Sequence, residues 1–280
     1  MSAAAAIPKL LAGRYQLERV LGTGGMGVVY RARDLLHEAL GDPCSYVALK
    51  LLGEAFVDSP DAHVLLYSEF ALTRSLRHEH VVRLYAFEVD TAQQKAFFTM
   101  EWMQGMTLDR LLLECPQGLP WPELRPIARQ LLDALGYCHQ QGVLHGDVKP
   151  ANIMLGEQGL RLFDFGLGHA EARSTAGLAG LDRNRLNAWT PTYAAPELLA
   201  GGSLTTRTDL YGAACVLYEL AQGKRPAEHE PDQSLPCPRQ WPRQCWPALR
   251  AALAADPERR SLCVEELREA LGGRARRWFL

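Results

Sequence analysis

His145-Gly146-Asp147-Val148-Lys149-Pro150-Ala151-Asn152, followed further on by Asp164-Phe165-Gly166, is the stretch on which the reading of this chain turns. Two carboxylates, an amide and a lysine gathered at loop–strand junctions suit hard oxygen coordination of Mg²⁺ beside phosphates. Asp147 can accept a hydroxyl proton, Lys149 can neutralise a transferring phosphoryl group, and Asn152 and Asp164 can hold metal. Plainer readings exist for each: Asp147 as a turn residue, Asp164 as the cap of a turn before Gly166. Both motifs occurring together, in this order, weakens those plainer readings.

Outward from this stretch the pattern is mostly helical. Trp121 to Gln141 carries Leu124, Ile127, Leu131, Leu135 and Cys138 at helical spacing, with Gly142 placed to stop the helix. Pro126 leaves one carbonyl of the first turn without its usual donor, a small local cost. Ile153-Met-Leu, a Gly156–Gly159 turn and Leu160-Arg-Leu-Phe read as a hairpin. Thr205 to Ala221 is apolar nearly all round, which predicts a helix buried at the centre of its lobe. Trp246–Ala255 and Val264–Leu271 read as closing helices.

The N-terminal third alternates instead. Tyr15-Gln-Leu-Glu-Arg-Val-Leu, Val28-Val-Tyr-Arg-Ala-Arg, Tyr46-Val-Ala-Leu-Lys-Leu-Leu, Val81–Leu84 and Phe97–Trp102 read as strands of a small antiparallel sheet. The polar stretch Leu35 to Ser45 reads as a long hairpin loop. One helix is signalled by Ser59 as N-cap, Pro60 at the first helical position and Asp61 in the first turn. Leu21-Gly22-Thr-Gly24-Gly25-Met-Gly27-Val-Val29 has strand-forming residues on both sides, so its glycines sit at a hairpin tip, not before a helix. Such a tip lets backbone N–H groups approach phosphate with no Cβ in the way, though a purely structural turn fits the same residues. Lys50 lies on an apolar strand. Glu69 shares a helical stripe with Leu65, Leu72 and Leu76, so a carboxylate faces inward and needs a cation, for which Lys50 is the candidate. A rotated helix that lets Glu69 reach solvent is the alternative.

The 280 residues, 48% hydrophobic and 22% charged, are ordinary globular values and argue against a disordered or fibrous chain. A formal net charge of −2 removes the usual electrostatic reason to expect a nucleic-acid partner. Seven cysteines form no C-x-x-C pair and leave an odd count, which fits reduced, mostly buried thiols of a cytoplasmic protein. Apolar runs end well before the roughly 18–20 residues of a membrane span. Met1-Ser-Ala-Ala-Ala-Ala-Ile-Pro has no basic n-region of a secretory signal.

With these motifs in hand, the chain resembles a bacterial eukaryotic-like (Hanks-type) serine/threonine protein kinase, over about Tyr15 to Leu271. The resemblance rests on Gly22-x-Gly24-x-x-Gly27-x-Val29, Val47-Ala-Leu-Lys50, Glu69, His145-Gly-Asp147-x-Lys149-Pro-x-Asn152 and Asp164-Phe-Gly166. Ala195-Pro-Glu197, Asp209-Leu-Tyr-Gly and Asp256-Pro-Glu-Arg-Arg260 complete it. It implies an α+β, two-lobed protein-kinase-like fold: a disordered leader at 1–12, a small antiparallel β-sheet N-lobe with one helix at 13–104, a larger mainly α-helical C-lobe at 105–272, and a basic, aromatic tail at 273–280. It implies ATP as phosphoryl donor, Mg²⁺ (with Mn²⁺ as substitute) and a protein substrate, autophosphorylation included. Leu21, Gly22, Gly24, Gly25, Gly27, Val29 and Ala48 would line the nucleotide, and Lys50, held by Glu69, would contact its α- and β-phosphates. Met100, Glu101 and Met103 would belong to the hinge that reads adenine. Asp147 would be the catalytic base, Lys149 its neighbour on the phosphoryl group, and Asn152 and Asp164 the metal ligands. Glu197 with Arg260, and Asp209 under the catalytic loop, would be structural. The compact Ala/Arg/Leu-rich chain is also similar to kinases that accompany bacterial secretion systems, notably type VI.

Two departures stand out. Gly146 occupies the position where relatives regulated by activation-loop phosphorylation have arginine, so the usual phosphate-binding cation is missing although Ser174, Thr175, Thr190 and Thr192 are available. Trp189 stands where the family usually has glycine before Thr190. Two other functions compete: a small-molecule phosphotransferase of the aminoglycoside or choline type, and a pseudokinase scaffold that binds nucleotide without transfer. Lys149 and the Thr190–Glu197 segment favour a protein substrate, and the intact phosphate and metal positions favour transfer. Arg274-Ala-Arg-Arg277-Trp-Phe-Leu280 reads as a solvated helix end or, if a longer chain continues past it, as a membrane-proximal segment. The oligomeric state is left open by the sequence.

Overall fold

Alternation of apolar and polar side chains makes the first part of the chain a sheet with two unlike faces. The computed structural model describes residues 10–24, 27–53, 60–166, 169–170, 191–226 and 235–272, divided into two units. The first comprises described residues up to 77 and 82–103; the second comprises 78–81 and those from 104 onward.

In the first unit the strands are β1 (Leu10–Leu11), β2 (Tyr15–Gly24), β3 (Gly27–Asp34), β4 (Tyr46–Leu52), β5 (Leu84–Asp90) and β6 (Lys95–Glu101). They form one antiparallel sheet in the order β1-β2-β3-β4-β6-β5. One face carries Leu11, Tyr15, Leu17, Tyr30, Ala32, Val47, Leu49, Leu51 and Phe97, which pack as a single core. The other face carries Val29, Lys50 and Phe98 in one cross-strand row and Ala48 opposite Met100 in the next. Helix α2 (Pro60–Arg74) packs there through Phe70, whose ring lies 5.9 Å from Phe98 and 5.7 Å from Phe87. Phe98 and Phe87 thus hold α2 beside the strand that carries Lys50.

In the second unit the long helix α4 (Trp121–Gln140) buries Leu124, Ile127, Leu131, Leu135 and Cys138, the stripe expected from its sequence. It runs through Pro126, and Gly142 follows with φ 70°, a left-handed value that glycine adopts without strain. Helix α6 (Thr206–Gln222), capped by Thr205, is buried on nearly every side. Gly212 of α6 lies so close to the loop after α4 that a Cβ there would stand 3.0 Å from the Val148 carbonyl oxygen. The two-residue β8 (Val143–Leu144) follows α4, and the strands β9 (Ile153–Gly156) and β10 (Gly159–Leu162) form the expected hairpin, joined by β7 (Gly105–Thr107). Helices α7 (Trp246–Ala252) and α8 (Val264–Ala270) close the unit.

Several expectations need correction. Leu10 and Leu11, placed in a disordered leader, pair with β2, and Leu11 is 0% exposed because it completes the sheet's core. The segment Leu35 to Ser45 contains a short helix, α1 (Leu35–Ala39), whose first N–H groups are capped by Asp34. It buries no residue, so no apolar period could announce it. Val81 makes only an isolated bridge to Leu162, and the strand expected at Val81–Leu84 begins where that stretch ends. Helix α3 (Leu108–Glu114) and helix α5 (Pro196–Leu199) have no counterpart in the sequence reading; each is too short for a period to register. Of the seven thiols Cys138, Cys215 and Cys245 are buried, but Cys44 and Cys263 are exposed and Cys115 and Cys237 half-buried. The expectation of mostly buried thiols therefore holds for three. Ser59, most of the leader and the 273–280 tail lie outside the described residues. Among the described residues no helix is long and apolar enough to cross a membrane.

If β1 belongs to the core, Leu11→Ala should cost about 2–5 kcal/mol of unfolding free energy, read from the urea midpoint. An unchanged midpoint would return Leu11 to a leader.

Candidate active site

The loop after α4 is held from beneath by one buried carboxylate. Asp209, on the first turn of α6 and 2% exposed, accepts from the backbone N–H groups of His145 at Oδ2 and Gly146 at Oδ1, both at 2.8 Å. His139, in the last turn of α4, donates through Nε2 to Oδ2 at 2.9 Å. Burial alone would push the Asp209 carboxyl up, but the bond and charge of His139 and the Gly146 N–H outweigh it and hold the group below its ordinary range. Gly146 has φ 84°, so the residue that turns its N–H toward Asp209 occupies left-handed backbone.

His145 carries the order onward. Its Nδ1 accepts from the Asp147 N–H at 3.2 Å and its Nε2 faces the Phe163 carbonyl at 3.0 Å, which defines the Nε2–H tautomer. Its ring packs 4.5 Å from that of Phe165. The residues flanking Asp164 are thus tied to the loop that carries Asp147. Asp164 itself has φ 66°, an uncommon conformation for a residue with a side chain and one that marks functional positions. Lys149 Nζ lies 2.6 Å from Asp147 Oδ2. Asn152, 3% exposed and at the end of a 3₁₀ turn (Pro150–Asn152), donates from Nδ2 to the Asp147 carbonyl at 2.9 Å and to Asp147 Oδ2 at 3.2 Å. With Nδ2 so engaged, its Oδ1 is the atom presented to a ligand.

In the first unit Lys50 Nζ meets Glu69 Oε1 at 2.7 Å and Oε2 at 2.8 Å, with both residues buried. Removing one partner of such a pair typically costs about 3–5 kcal/mol, because the other charge stays behind in the interior. Gly22 pairs with Val29 and Gly24 with Gly27, so the glycines do lie at the end of a β2–β3 hairpin; Gly25 lies outside the described residues. Leu21 sits at a register shift between Val20 and Gly22. Gly27 cannot be replaced in place, since a Cβ would stand 2.1 Å from the Leu51 carbonyl oxygen. Gly22, Val29, Ala48, Lys50 and Met100 therefore share one face. Glu101 ends β6, its N–H donating to the Arg83 carbonyl at 2.9 Å, and Met103 follows in irregular backbone.

Arg260, 1% exposed, pairs with Glu197 through Nη1–Oε1 at 2.5 Å and Nη2–Oε2 at 2.8 Å. The carbonyls of Ala254, Ala255 and Arg207 take the other three N–H donors. This anchors the start of α5. Thr190, Trp189, Ser174 and Thr175 lie outside the described residues.

The described residues contain no cluster of three or more histidine, cysteine, aspartate or glutamate side chains suited to a metal. A donor set of one carboxylate and one amide, Asp164 and Asn152, fits a hard divalent ion that keeps waters and takes phosphate oxygens as its remaining ligands. It does not fit a fully protein-ligated transition-metal site.

Residues 15–261 match the protein kinase domain family. The chain belongs to that family. It is 33% identical over 223 residues to the serine/threonine-protein kinase PknB of Mycobacterium leprae, covering 78% of this chain and 34% of that protein. It is 36% identical over 228 residues to the DNA damage-responsive serine/threonine-protein kinase RqkA of Deinococcus radiodurans, covering 81% and 32%. The crystal structure of a point mutant of the Mycobacterium tuberculosis PknI kinase domain superimposes with a TM-score of 0.70 at 27% identity, over 97% of this chain and 98% of that one. The chain spans about half or less of the length of the curated relatives it matches. The fold is that of a protein kinase, with an antiparallel sheet lobe and a helical lobe, and the family uses ATP and a divalent metal. Neither the small-molecule phosphotransferase nor the pseudokinase reading finds support among these relatives.

The sequence assigned no role to His139 or His145. A histidine immediately before Gly-Asp was the available signal for the second; the first, on another helix, had none.

Because Asp209 titrates below its ordinary value of 3.8 in the folded chain, its charge stabilises the fold fully above that value. The contribution is lost as pH falls through the folded-state value. Asp209→Asn, which sets an amide N–H against a backbone N–H, should lower stability by about 1.5–3 kcal/mol at neutral pH. Melting curves should show the gap between wild type and variant shrinking below that value; a gap independent of pH would contradict the assignment.

Proposed function

We propose that this chain transfers the γ-phosphoryl group of ATP to serine and threonine hydroxyls of proteins, itself included. The observation that carries this reading is the bonded group of Asp147, Lys149 and Asn152 on a loop fixed by Asp209. Asp147 orients the acceptor hydroxyl and takes its proton at a carboxylate oxygen. Lys149, paired with that carboxylate, offsets charge on the transferring group, an electrostatic contribution set in place before reaction. Asn152 through Oδ1 and Asp164 through its carboxylate hold Mg²⁺, which when bound neutralises phosphate charge. Lys50, positioned by Glu69, binds the α- and β-phosphates. The glycine hairpin, through Gly22, Gly24 and Gly27, presents N–H groups to phosphate, while Leu21, Val29, Ala48 and Met100 contact the base and sugar. Glu101 and Met103 offer hinge backbone groups to adenine. Asp147 and its partners thus supply positioning and charge, which is most of what phosphoryl transfer requires of a protein.

Radiolabel transfer from ATP with Mg²⁺ to a generic basic protein tests this reading. Wild type should label it, and Asp147→Asn should be slower by about 10²–10⁴-fold. Equal incorporation by both, or transfer to aminoglycosides or choline but not to protein, would overturn it.

Gly146 supplies no cation for a phosphate, so activity should not depend on one in the 165–195 segment. Alanine at Ser174 and Thr175 together, in dephosphorylated protein, should leave the transfer rate unchanged. A large loss would contradict this.

A further inference from the structure

The second unit carries a groove of about 750 Å³ away from Asp147. Its walls come from the first half of α4, Leu111 in the middle of α3, the Glu79–His80 stretch and the β9–β10 turn. Leu119 and Ile127, both buried, and half-buried Leu155 form its apolar floor. Glu79, Glu123 and Glu157, all exposed, lie on its rim. Among the described residues no lysine or arginine lines it, and none of the three glutamates forms an ion pair. Such a surface selects a segment with cationic side chains next to large apolar ones.

The chain contains such a segment close by. Helix α8 runs antiparallel to α4: Glu265 approaches Gly136 and bonds Gln140, Arg268 pairs with Asp133, and a Cβ added to Gly272 would stand 3.8 Å from Arg129 Nη1. Each step along α8 thus moves toward the start of α4, where Glu123 and Ile127 border the groove. At about 1.5 Å per helical residue, Glu123 is only about 9 Å further along the axis than Arg129. The groove-lining face of α4 (Glu123, Ile127, Gln130) is turned about 120° from the face that α8 covers (Arg129, Asp133, Gly136), at about 100° per residue. The residues after Gly272 are Gly273-Arg274-Ala275-Arg276-Arg277-Trp278-Phe279-Leu280. Extended, eight residues reach about 26 Å, enough for both the axial distance and the turn around the helix.

We propose that residues 274–280 dock in cis into this groove, with Arg274, Arg276 and Arg277 against the rim glutamates and Trp278, Phe279 and Leu280 over the Leu119–Ile127–Leu155 floor. Tethering keeps the segment at high local concentration, so a modest intrinsic affinity suffices. Docking would withhold the groove from basic, apolar segments of other proteins. This proposal concerns a surface apart from the reacting groups and does not depend on the phosphoryl-transfer reading.

The test uses the full chain with p-benzoylphenylalanine replacing Phe279, irradiated at low micromolar concentration and mapped by mass spectrometry. Cross-links should fall within one chain, on peptides containing Ile127 or Leu155. Glu123→Lys combined with Glu157→Lys should cut their yield about five-fold, the loss expected from two exposed ion pairs. The neutral pair Glu123→Gln and Glu157→Gln, at exposed positions that leave the fold intact, should cut it less. Cross-links elsewhere in the chain, between chains, or at a yield insensitive to both double variants would overturn the proposal.

Discussion

A single buried carboxylate organises the loop that carries the chemistry. Asp209 has nearly no access to water and would be expensive to charge there without compensation. Three donors supply that compensation, and two are backbone N–H groups of consecutive residues, His145 and Gly146. The requirement to satisfy one anion therefore dictates the course of the chain just before Asp147. From there His145 passes the constraint to the Asp147 N–H on one side and the Phe163 carbonyl on the other, and Asn152 closes the loop back on Asp147. Gly212 lets α6 come close enough to Val148 for the arrangement to exist.

The same physical logic recurs at the other buried ions. Lys50 and Glu69 are each other's compensation in the sheet unit, and Arg260 has all five of its donors occupied by Glu197 and three carbonyls. Buried ion pairs are a poor source of net stability, because desolvation consumes most of the attraction. What they provide in this chain is definition: each is satisfied in one arrangement, and each fixes an element that bears or borders a site residue. The apolar faces supply the stability. The core of Leu11, Leu17, Leu49 and Phe97 beneath the sheet is one such source, and the nearly all-round burial of α6 is another.

Much of this was legible because the chemistry and the periodicity coincide in the sequence. Glu69 on an apolar helical stripe needed a cation or a helix rotated toward solvent, Lys50 on an apolar strand was the candidate, and the 2.7 Å contact decides for the pair. The glycines between two alternating segments could only be a hairpin tip. Periodicity failed where elements are short or bury nothing: α1 has no buried residue, α5 has four residues, and β1 has two. Leu11 looked like part of an unpatterned leader because two residues cannot display a period. His139 was invisible for a different reason. Its role depends on α4 and α6 bringing residues 70 apart in sequence into contact, which no local pattern encodes.

The most direct measurement is amide hydrogen exchange at His145 and Gly146 in wild type and in Asp209→Asn. If the buried carboxylate holds the loop, both amides exchange slowly in the wild type, and the substitution raises their rates far more than those of the β9–β10 hairpin. Rapid exchange at both amides in the wild type, or rates untouched by the substitution, would contradict the account.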